Sequence, residues 1–387
     1  MIARAFLLIL LAELLPDIYI YIRYVRGRVP ALAAWKLALL AAPCAAVPAA
    51  AAVLAAGRNF APDSLWTLNA FLLLVALYVV PKALFALFAL AGSFAGRRGR
   101  KAGAVLGGVA AFAAVATTAY GVAAGAGSVE VRRVELAFEN LPEEFDGYRV
   151  VFFSDLHVGT YGSVHTSMVA ACVDSINAQD ADLVAFGGDM QNMKPAEVEP
   201  FVGVLSGIRA KDGVFSVLGN HDYAEYTDES PEVEAANMAR TKSVQADMGW
   251  QLLLNSHSVV RRGADSIVVA GTENDGRKPF PSKADMAAAV AGVAPGAFTI
   301  MLQHDPSSWR RNILPGTQAA LTMSGHTHGG QFDLAGLRFT RFIYGEDYGL
   351  YSEGGRFLYV SGGVGSFVPF RVGVKPEIVT ITLRRAE

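Results

Sequence analysis

Five of the seven histidines in this chain lie in short polar clusters, and each cluster follows an apolar run. The clusters are Asp155-Leu156-His157, Gly187-Gly188-Asp189, Gly219-Asn220-His221-Asp222, Gln303-His304-Asp305 and Gly325-His326-Thr327-His328. Imidazole nitrogens combined with carboxylate and amide oxygens, without thiolates, suit Mn, Fe or Zn better than Mg or Ca. A set of ligands without cysteine also argues against a structural zinc site. The clusters therefore predict a catalytic metal site.

The number of donors predicts two metal ions rather than one. Seven side chains are candidate ligands: Asp155, His157, Asp189, Asn220, His304, His326 and His328. Seven are too many for one catalytic ion that keeps an open position. Two divalent ions roughly 3.5–4 Å apart can clamp the attacking and leaving oxygens of an in-line displacement, and they lower the pKa of a bridging water. The predicted chemistry is hydrolysis of a phosphoester by metal-activated hydroxide, because cations stabilise its charge-rich transition state.

Two residues next to the ligands are predicted to act in catalysis. His221 follows Asn220 directly, so its side chain points elsewhere, toward a substrate. It is the best candidate to hydrogen-bond a phosphoryl oxygen or to protonate the leaving group. Asp222 is predicted to orient His221 as a supporting carboxylate.

The elements that position these clusters are short apolar runs rich in β-forming residues. The runs are Val150–Phe153, Leu183–Phe186, Val214–Leu218, Phe298–Leu302 and Ala320–Met323. Helix-like stretches lie between them: Thr166–Ala178, Glu197–Ile208, Val233–Met248 and Ser282–Val290. This alternation predicts an α/β fold with ligands at the carboxyl ends of the strands. Later strands, near Ser266–Ala270, Arg356–Val360 and Glu377–Leu383, are predicted to form a second sheet packed on the first.

The N-terminal third of the chain is strongly apolar. Hydrophobic residues make up 52% of the chain and charged residues 18%, and the apolar excess lies mainly before Gly127. Segments of roughly 20 apolar residues are long enough to span a bilayer as helices. Four spans are predicted, at Ile2–Ile22, Ala31–Ala56, Leu65–Phe94 and Ala104–Ala124, the first interrupted by charges. We therefore predict a transmembrane helical region over residues 1–126 and a soluble domain over residues 127–387.

The distribution of positive charge predicts the orientation of this membrane protein. Arg23, Arg26 and Arg28 follow the first predicted span, and four basic residues at 97–101 follow the third, whereas only Arg58 follows the second. Positive loops stay in the cytoplasm. The soluble domain is therefore expected on the extracytoplasmic face, although Arg132 and Arg133 oppose this orientation. A net charge of −2 gives no reason to expect a nucleic-acid partner.

The ordered motifs D-x-H, G-D, G-N-H-D/E, a lone His and G-H-x-H resemble those of the calcineurin-like metallophosphoesterase superfamily. The resemblance covers roughly Tyr148–Leu383 and implies a four-layer α/β/β/α sandwich. It implies that the first metal is held by Asp155, His157, Asp189 and His328. It implies that the second is held by Asp189, Asn220, His304 and His326. It further implies that Asp189 bridges the two metals and that His221 is the catalytic histidine.

The end of the chain resembles the YkuE-type membrane-associated branch of this superfamily. The matching stretches are Gly349–Tyr351, Val360–Gly365, Pro369–Arg371 and Pro376–Ile378. Some relatives act on phospholipid or lipid A precursor phosphoesters, so the resemblance implies a phospholipid, lipid-linked or cell-envelope substrate as one candidate. Arg371 is either a residue that holds an anionic headgroup or part of a structural ion pair.

Other functions remain open at the level of sequence. A phosphomonoesterase and a nucleotide phosphodiesterase would share these metals, because substrate choice belongs to loops such as Tyr223–Arg240 and Asn274–Ser282. A non-catalytic membrane sensor or assembly factor could retain the metal site, but the intact His221 argues against it. A transporter is disfavoured because the predicted spans carry no dense polar pathway.

Overall fold

The structure is a computed structural model that describes residues 2–27, 33–55, 65–124, 129–161, 166–227, 229–366, 368 and 370–386. The chain divides into two compact units, Met1–Ala123 and Ala124–Glu387, called here the helical unit and the α/β unit. The domain boundary predicted after residue 126 lies outside the described residues, as do Arg28 and Arg58.

The helical unit contains five α-helices in its described part. They are α1 (Ile2–Ile20), α2 (Ala34–Ala55), α3 (Leu65–Leu74), α4 (Val80–Ser93) and α5 (Gly96–Ala124). A π-helical turn, Val75–Val79, makes α3 and α4 one continuous helix. Among the described residues, three stretches are long and apolar enough to cross a membrane: Ala34–Leu54, Trp66–Ser93 and Gly96–Ala123. These match three of the four predicted spans. The fourth, α1, is helical but carries Arg4, Glu13 and Asp17 within its 19 residues.

An ionic cluster joins α1 to α4. The Lys82 ammonium lies 2.7 Å from a Glu13 carboxylate oxygen and 2.8 Å from an Asp17 carboxylate oxygen. The same ammonium lies 4.4 Å from the centre of the Tyr78 ring. Glu13 is fully buried, and only 8% of the Lys82 side chain is exposed. Because a buried charge is stable only when it is paired, Lys82 holds the two acidic residues within the helical unit.

Removing Lys82 should therefore destabilise the helical unit more than removing the whole cluster. We expect Lys82→Met in the purified full-length protein to lower the free energy of unfolding by about 3 kcal/mol, because the buried Glu13 and the partly buried Asp17 lose their cation. The matched control is the triple variant Lys82→Met, Glu13→Gln, Asp17→Asn, which should recover most of the loss. Thermal unfolding in detergent measures both. Equal stability of the wild type and Lys82→Met would contradict the structural role of the cluster.

The α/β unit is built on two six-stranded sheets. Its strands are β1 (Glu130–Phe138), β2 (Arg149–Phe153), β3 (Leu183–Phe186), β4 (Val214–Ser216), β5 (Gln251–Leu252), β6 (Ser256–Arg262), β7 (Asp265–Gly271), β8 (Thr299–Leu302), β9 (Leu321–Ser324), β10 (Gly349–Glu353), β11 (Arg356–Val360) and β12 (Glu377–Arg385). The strand order is β1-β12-β2-β3-β4-β5 in the first sheet and β10-β11-β9-β8-β7-β6 in the second. Within the first sheet β2, β3 and β4 run parallel, as do β7, β8 and β9 in the second.

Helices cover the outer faces of these sheets. They are α6 (Val158–Tyr161), α7 (Thr166–Asn177), α8 (Val202–Leu205), α9 (Pro231–Asp247), α10 (Met286–Ala289) and α11 (Leu314–Gly316). Alternate residues of each strand face opposite sides. Phe152 of β2 and Ile300 of β8 belong to the core between the sheets. Phe153 faces the layer that contains α7, and Met301 packs with Trp309 on the far side of the second sheet. The result is the predicted four-layer α/β/β/α sandwich.

Four details of the predicted fold are wrong. The runs Phe298–Leu302 and Ala320–Met323 were expected in the first sheet, but β8 and β9 lie in the second. Glu377–Leu383 was expected in the second sheet, but β12 lies in the first sheet between β1 and β2, parallel to one and antiparallel to the other. Glu197–Ile208 forms short 3-10 turns and the single-turn α8 instead of one helix, because Pro200 interrupts it. Ser282–Val290 is helical only over α10.

Candidate metal centre

The polar clusters meet at one edge of the sandwich because each follows the carboxyl end of a parallel strand. Asp155 follows β2, Asp189 follows β3, Asn220 follows β4, His304 follows β8 and His326 follows β9. Parallel strands end on the same side of their sheet. The two sheets therefore deliver these side chains to one site from opposite faces of the core.

One group of side chains consists of Asp155, His157 and His328. Their donor atoms lie within 4.8 Å of one another, and all three residues are buried. The Nε2 atom of His328 lies 3.3 Å from an Asp155 carboxylate oxygen and 3.3 Å from the Nε2 atom of His157. These three are the residues predicted for the first metal, apart from the bridging Asp189.

A second group consists of Asp189, His304 and His326, again with donor atoms within 4.8 Å of one another. The Nε2 atom of His304 lies 3.1 Å from the Oδ2 atom of Asp189. The Nδ1 atom of His326 lies 2.7 Å from the Oδ1 atom of Asn220, so the side chain of Asn220 faces this group. These four residues are the ones predicted for the second metal.

Asp189 lies between the two groups. Its Oδ2 atom is 3.6 Å from the Nε2 atom of His157 and 3.1 Å from that of His304. Its Oδ1 atom accepts a hydrogen bond of 2.8 Å from the backbone N–H of His221. A single carboxylate oxygen thus faces histidines of both groups, which is the geometry that a bridging ligand requires.

Several candidate ligands share an unusual backbone conformation. Ten non-glycine residues in the described chain have a positive φ, and five of them are candidate ligands: Asp155, His157, Asp189, His326 and His328. Left-handed backbone is uncommon for non-glycine residues and clusters at functional sites. Neighbouring glycines allow the close approach: a Cβ atom at Gly219 would lie 2.1 Å from an Asp189 oxygen, and one at Gly325 would lie 2.2 Å from an Asp155 oxygen.

Burial and negative charge set the protonation of the site. Burial raises the pKa of Asp155 to about 6, and the charge of Asp189 acts in the same direction. Burial lowers the pKa of His157 to about 3 and that of His326 to about 4, so both imidazoles keep a nitrogen lone pair at neutral pH. Burial alone would lower the pKa of His304, but the adjacent Asp189 carboxylate raises it to about 10. A proton on His304 therefore supplies positive charge next to Asp189.

These residues fit divalent metal ions. The donors are nitrogen and oxygen atoms of imidazoles, carboxylates and one amide, which is the set that Mn, Fe and Zn share. Neighbouring groups also fix which histidine nitrogen faces the site, as second-layer contacts do in metal sites. His304 Nδ1 bonds to the carbonyl of Gly187 at 2.7 Å, which leaves Nε2 toward Asp189.

The two predicted catalytic residues are held in different ways. A ring nitrogen of His221 lies within 4.8 Å of the donor atoms of His157 and Asp189, and its Nδ1 donates to the carbonyl of Asn192 at 2.6 Å. Asp222 was expected to orient His221, and this role is wrong. Its carboxylate instead accepts hydrogen bonds from the backbone N–H groups of Gly219 and of residues 189–191. Asp222 therefore fixes the two turns that carry Asp189 and Asn220.

Three aromatic residues that the motifs did not reveal also line the site. The hydroxyl of Tyr344 lies 2.9 Å from the Nε2 atom of His326, and the hydroxyl of Tyr226 lies 2.8 Å from the Nδ2 atom of Asn220. The ring of Phe280 packs edge-on against His326 at 4.6 Å. Tyr226 and Phe280 belong to the two loops predicted to form the substrate pocket, whereas nothing in the sequence pattern distinguishes Tyr344.

Arg371 does not face a substrate. It is 2% exposed, and its guanidinium donates to the backbone carbonyls of Gly362, Gly363, Gly365 and Val374. The interpretation of Arg371 as a headgroup-binding residue is therefore wrong, because the side chain supports the loop that follows β11.

Comparisons with known proteins agree with this site. Residues 148–330 match the family model described as calcineurin-like phosphoesterase. This stretch of the chain is therefore similar to a calcineurin-like phosphoesterase domain.

Several curated relatives share this domain. A Danio rerio protein named transmembrane protein with metallophosphoesterase domain is 29% identical over 276 residues, which cover 69% of this chain and 60% of that protein. A Bos taurus protein of the same name is 28% identical, over 66% of this chain and 57% of that protein. The uncharacterized metallophosphoesterase YkuE of Bacillus subtilis (strain 168) is 28% identical, over 63% of this chain and 82% of that protein. The chain thus spans less than two thirds of the length of the two vertebrate relatives.

The shared position of Asp189 predicts unequal effects of substitutions on metal content. We expect Asp189→Asn to lose both metal ions, because both groups lose the bridging charge, and His326→Ala to lose one. The exposed Asp174→Asn is the matched control and should keep the wild-type content. Elemental analysis by mass spectrometry of purified full-length protein gives the number of ions per chain, with circular dichroism as the check on folding. A folded Asp189→Asn protein with the full metal content would exclude the bridging role.

Proposed function

We propose that the protein is a membrane-anchored hydrolase of phosphoesters that uses two divalent metal ions. The observation that carries the proposal is the position of the Asp189 Oδ2 atom between His157 and His304, the members of two separate donor groups. When bound, two divalent ions supply a water nucleophile at neutral pH and offset the negative charge of the phosphoryl group. The family match and the complete set of donor residues support this activity.

The side chains of the site would bind the metals, transfer a proton or position the backbone. Asp155, His157 and His328 would hold one ion, Asn220, His304 and His326 the other, with Asp189 between them. The carbonyl of Asn192 keeps the proton of His221 on Nδ1, so any proton that His221 exchanges with the leaving group is carried on Nε2. Asp222 would act only as a positioning residue, through the backbone it binds.

The substrate we propose is a phosphodiester or phosphomonoester, and the metals are Mn, Fe or Zn. A lipid or cell-envelope phosphoester is the candidate that the three apolar helices favour, since they keep the α/β unit close to a bilayer. We further propose that the α/β unit lies on the extracytoplasmic face, because Arg97, Arg98, Arg100 and Lys101 lie at the N-terminal end of the last span. The alternative is a non-catalytic sensor that retains the metal site, and the intact His221 argues against it.

Replacing His221 separates catalysis from metal binding. We expect His221→Ala to keep the wild-type metal content and to lose about 10²-fold or more in kcat toward bis(p-nitrophenyl) phosphate, because the proton donor is gone. His257→Ala is the matched control. This half-buried histidine lies on β6 and bonds to the carbonyl of Ala289, so it should keep full activity. Unchanged turnover of His221→Ala would remove His221 from the mechanism, and an inert wild type after addition of Mn, Fe or Zn would refute the proposed activity.

Labelling of single cysteines tests the orientation. In a Cys44→Ala, Cys172→Ala background, we expect a membrane-impermeant maleimide to label Glu232→Cys in intact cells. Arg98→Cys, at the N-terminal end of the last span, should react only after the cells are opened. Both positions are exposed, so accessibility within the protein does not limit the reaction. The reverse pattern would place the α/β unit in the cytoplasm.

A further inference from the structure

The α/β unit exposes an apolar loop, residues 334–343, directly beside the candidate metal centre. Five large side chains of this loop have between 50% and 78% of their surface exposed: Leu334, Leu337, Phe339, Phe342 and Ile343. In the described part of the α/β unit only three other large apolar side chains are exposed, Val233, Val259 and Leu350. Apolar exposure is therefore concentrated in one loop, and such patches mark interaction sites.

The loop is ordered by its polar residues. Arg338 forms ion pairs with Asp333 at 2.7 Å and with Asp347 at 2.8 Å. Thr340 donates to Asp347 at 3.0 Å, and Leu334 and Leu337 form a tight turn through their backbone groups. Arg338 and Thr340 thus point inward and the five large apolar side chains outward, which is the opposite of an ordinary surface loop. The apolar exposure is held in place by this internal ionic network.

The loop is continuous with the metal centre. Tyr344 follows Ile343 directly, and its hydroxyl contacts the Nε2 atom of His326. The rim of the site also carries exposed cations. Arg341 is exposed and forms no ion pair with the described residues, and Arg277 and Lys278 are exposed on the neighbouring loop that ends in Phe280. Apolar side chains flanked by cations match a lipid surface, where acyl chains lie below anionic phosphates.

We propose that residues 334–343 insert into the lipid bilayer and that the metal centre acts on amphiphilic phosphoesters at the membrane surface. The bilayer is the binding partner that the chain itself indicates, because three helices that are long and apolar enough to span a bilayer precede the α/β unit. The substrate class rests on the proposed hydrolase function, whereas the insertion of the loop does not. The phosphate of such a lipid would lie at the level of Arg341, at the edge of the site.

Spin labelling tests the insertion without any assay of activity. Full-length protein with Cys44→Ala and Cys172→Ala is placed in nanodiscs of phosphatidylcholine and phosphatidylglycerol, and a nitroxide is attached at Phe342→Cys. We expect the label to be accessible to oxygen and shielded from a water-soluble nickel chelate. The matched control is Val259→Cys, an exposed apolar position on the edge strand β6, which should be open to the chelate. Equal chelate access at both positions overturns the insertion.

Shielding of the label at position 342 from both oxygen and the chelate would also overturn the proposal, because it would mark a protein contact, such as a second copy of the chain.

Activity then tests the substrate class. In the same nanodiscs, Phe339→Ser with Phe342→Ser should lower the ratio of phospholipid hydrolysis to bis(p-nitrophenyl) phosphate hydrolysis by about tenfold, because apolar anchoring is lost. An unchanged ratio refutes the role of the loop in lipid hydrolysis, and a wild type that hydrolyses only bis(p-nitrophenyl) phosphate refutes the lipid substrate. If the wild type hydrolyses neither ester, the proposed function fails, while the spin-label result stands on its own.

Discussion

Three buried carboxylates, those of Asp155, Asp189 and Asp222, govern the arrangement of the whole site. A buried anion needs hydrogen bonds or a cation, because burial removes the water that would stabilise it. Asp222 is satisfied by backbone N–H groups alone. Asp155 receives the hydroxyl of Ser154 and the backbone N–H of His326. Asp189 has one oxygen bonded to the backbone of His221, while the other faces only histidines of two groups. The Oδ2 atom of Asp189, which faces both His157 and His304, is thus the oxygen at which two cations would meet.

The sandwich is what brings these charges together. The carboxylates come from the first sheet and most of the histidines from the second, so neither sheet alone carries a complete site. The core between the sheets, with residues such as Phe152 and Ile300, sets the distance between them. The packing of that core therefore sets the distance between the two donor groups. A substitution that changes the core volume would shift the position of Asp189.

Much of this centre could be predicted because its ligands follow strands. The runs Leu183–Phe186 and Arg356–Val360 match strands residue for residue, and the clusters after the runs converge as parallel topology requires. The position of β12 could not be predicted, because an apolar alternating strand fits either sheet and only long-range pairing selects its partners. The contact that orients the His221 ring was missed for another reason. Its partner is the backbone carbonyl of Asn192, and a backbone carbonyl has no signature in the sequence. Asp222 was misassigned because proximity in sequence to His221 does not reveal where a carboxylate points.

The apolar loop, residues 334–343, connects the exposed apolar surface to the candidate metal centre through fixed contacts. Asp347 holds Arg338 and Thr340, and through them it fixes the backbone between residues 338 and 340. Phe339 and Phe342 are held outward by the same contacts, and Tyr344, two residues after Phe342, bonds to His326. The loop is short. The same ionic network therefore determines how far its apolar side chains protrude and where the Tyr344 hydroxyl lies. If the proposed insertion holds, a surface built in this way would bring a phosphate at the membrane and the candidate ligand His326 into a fixed relation, through residues that bind neither.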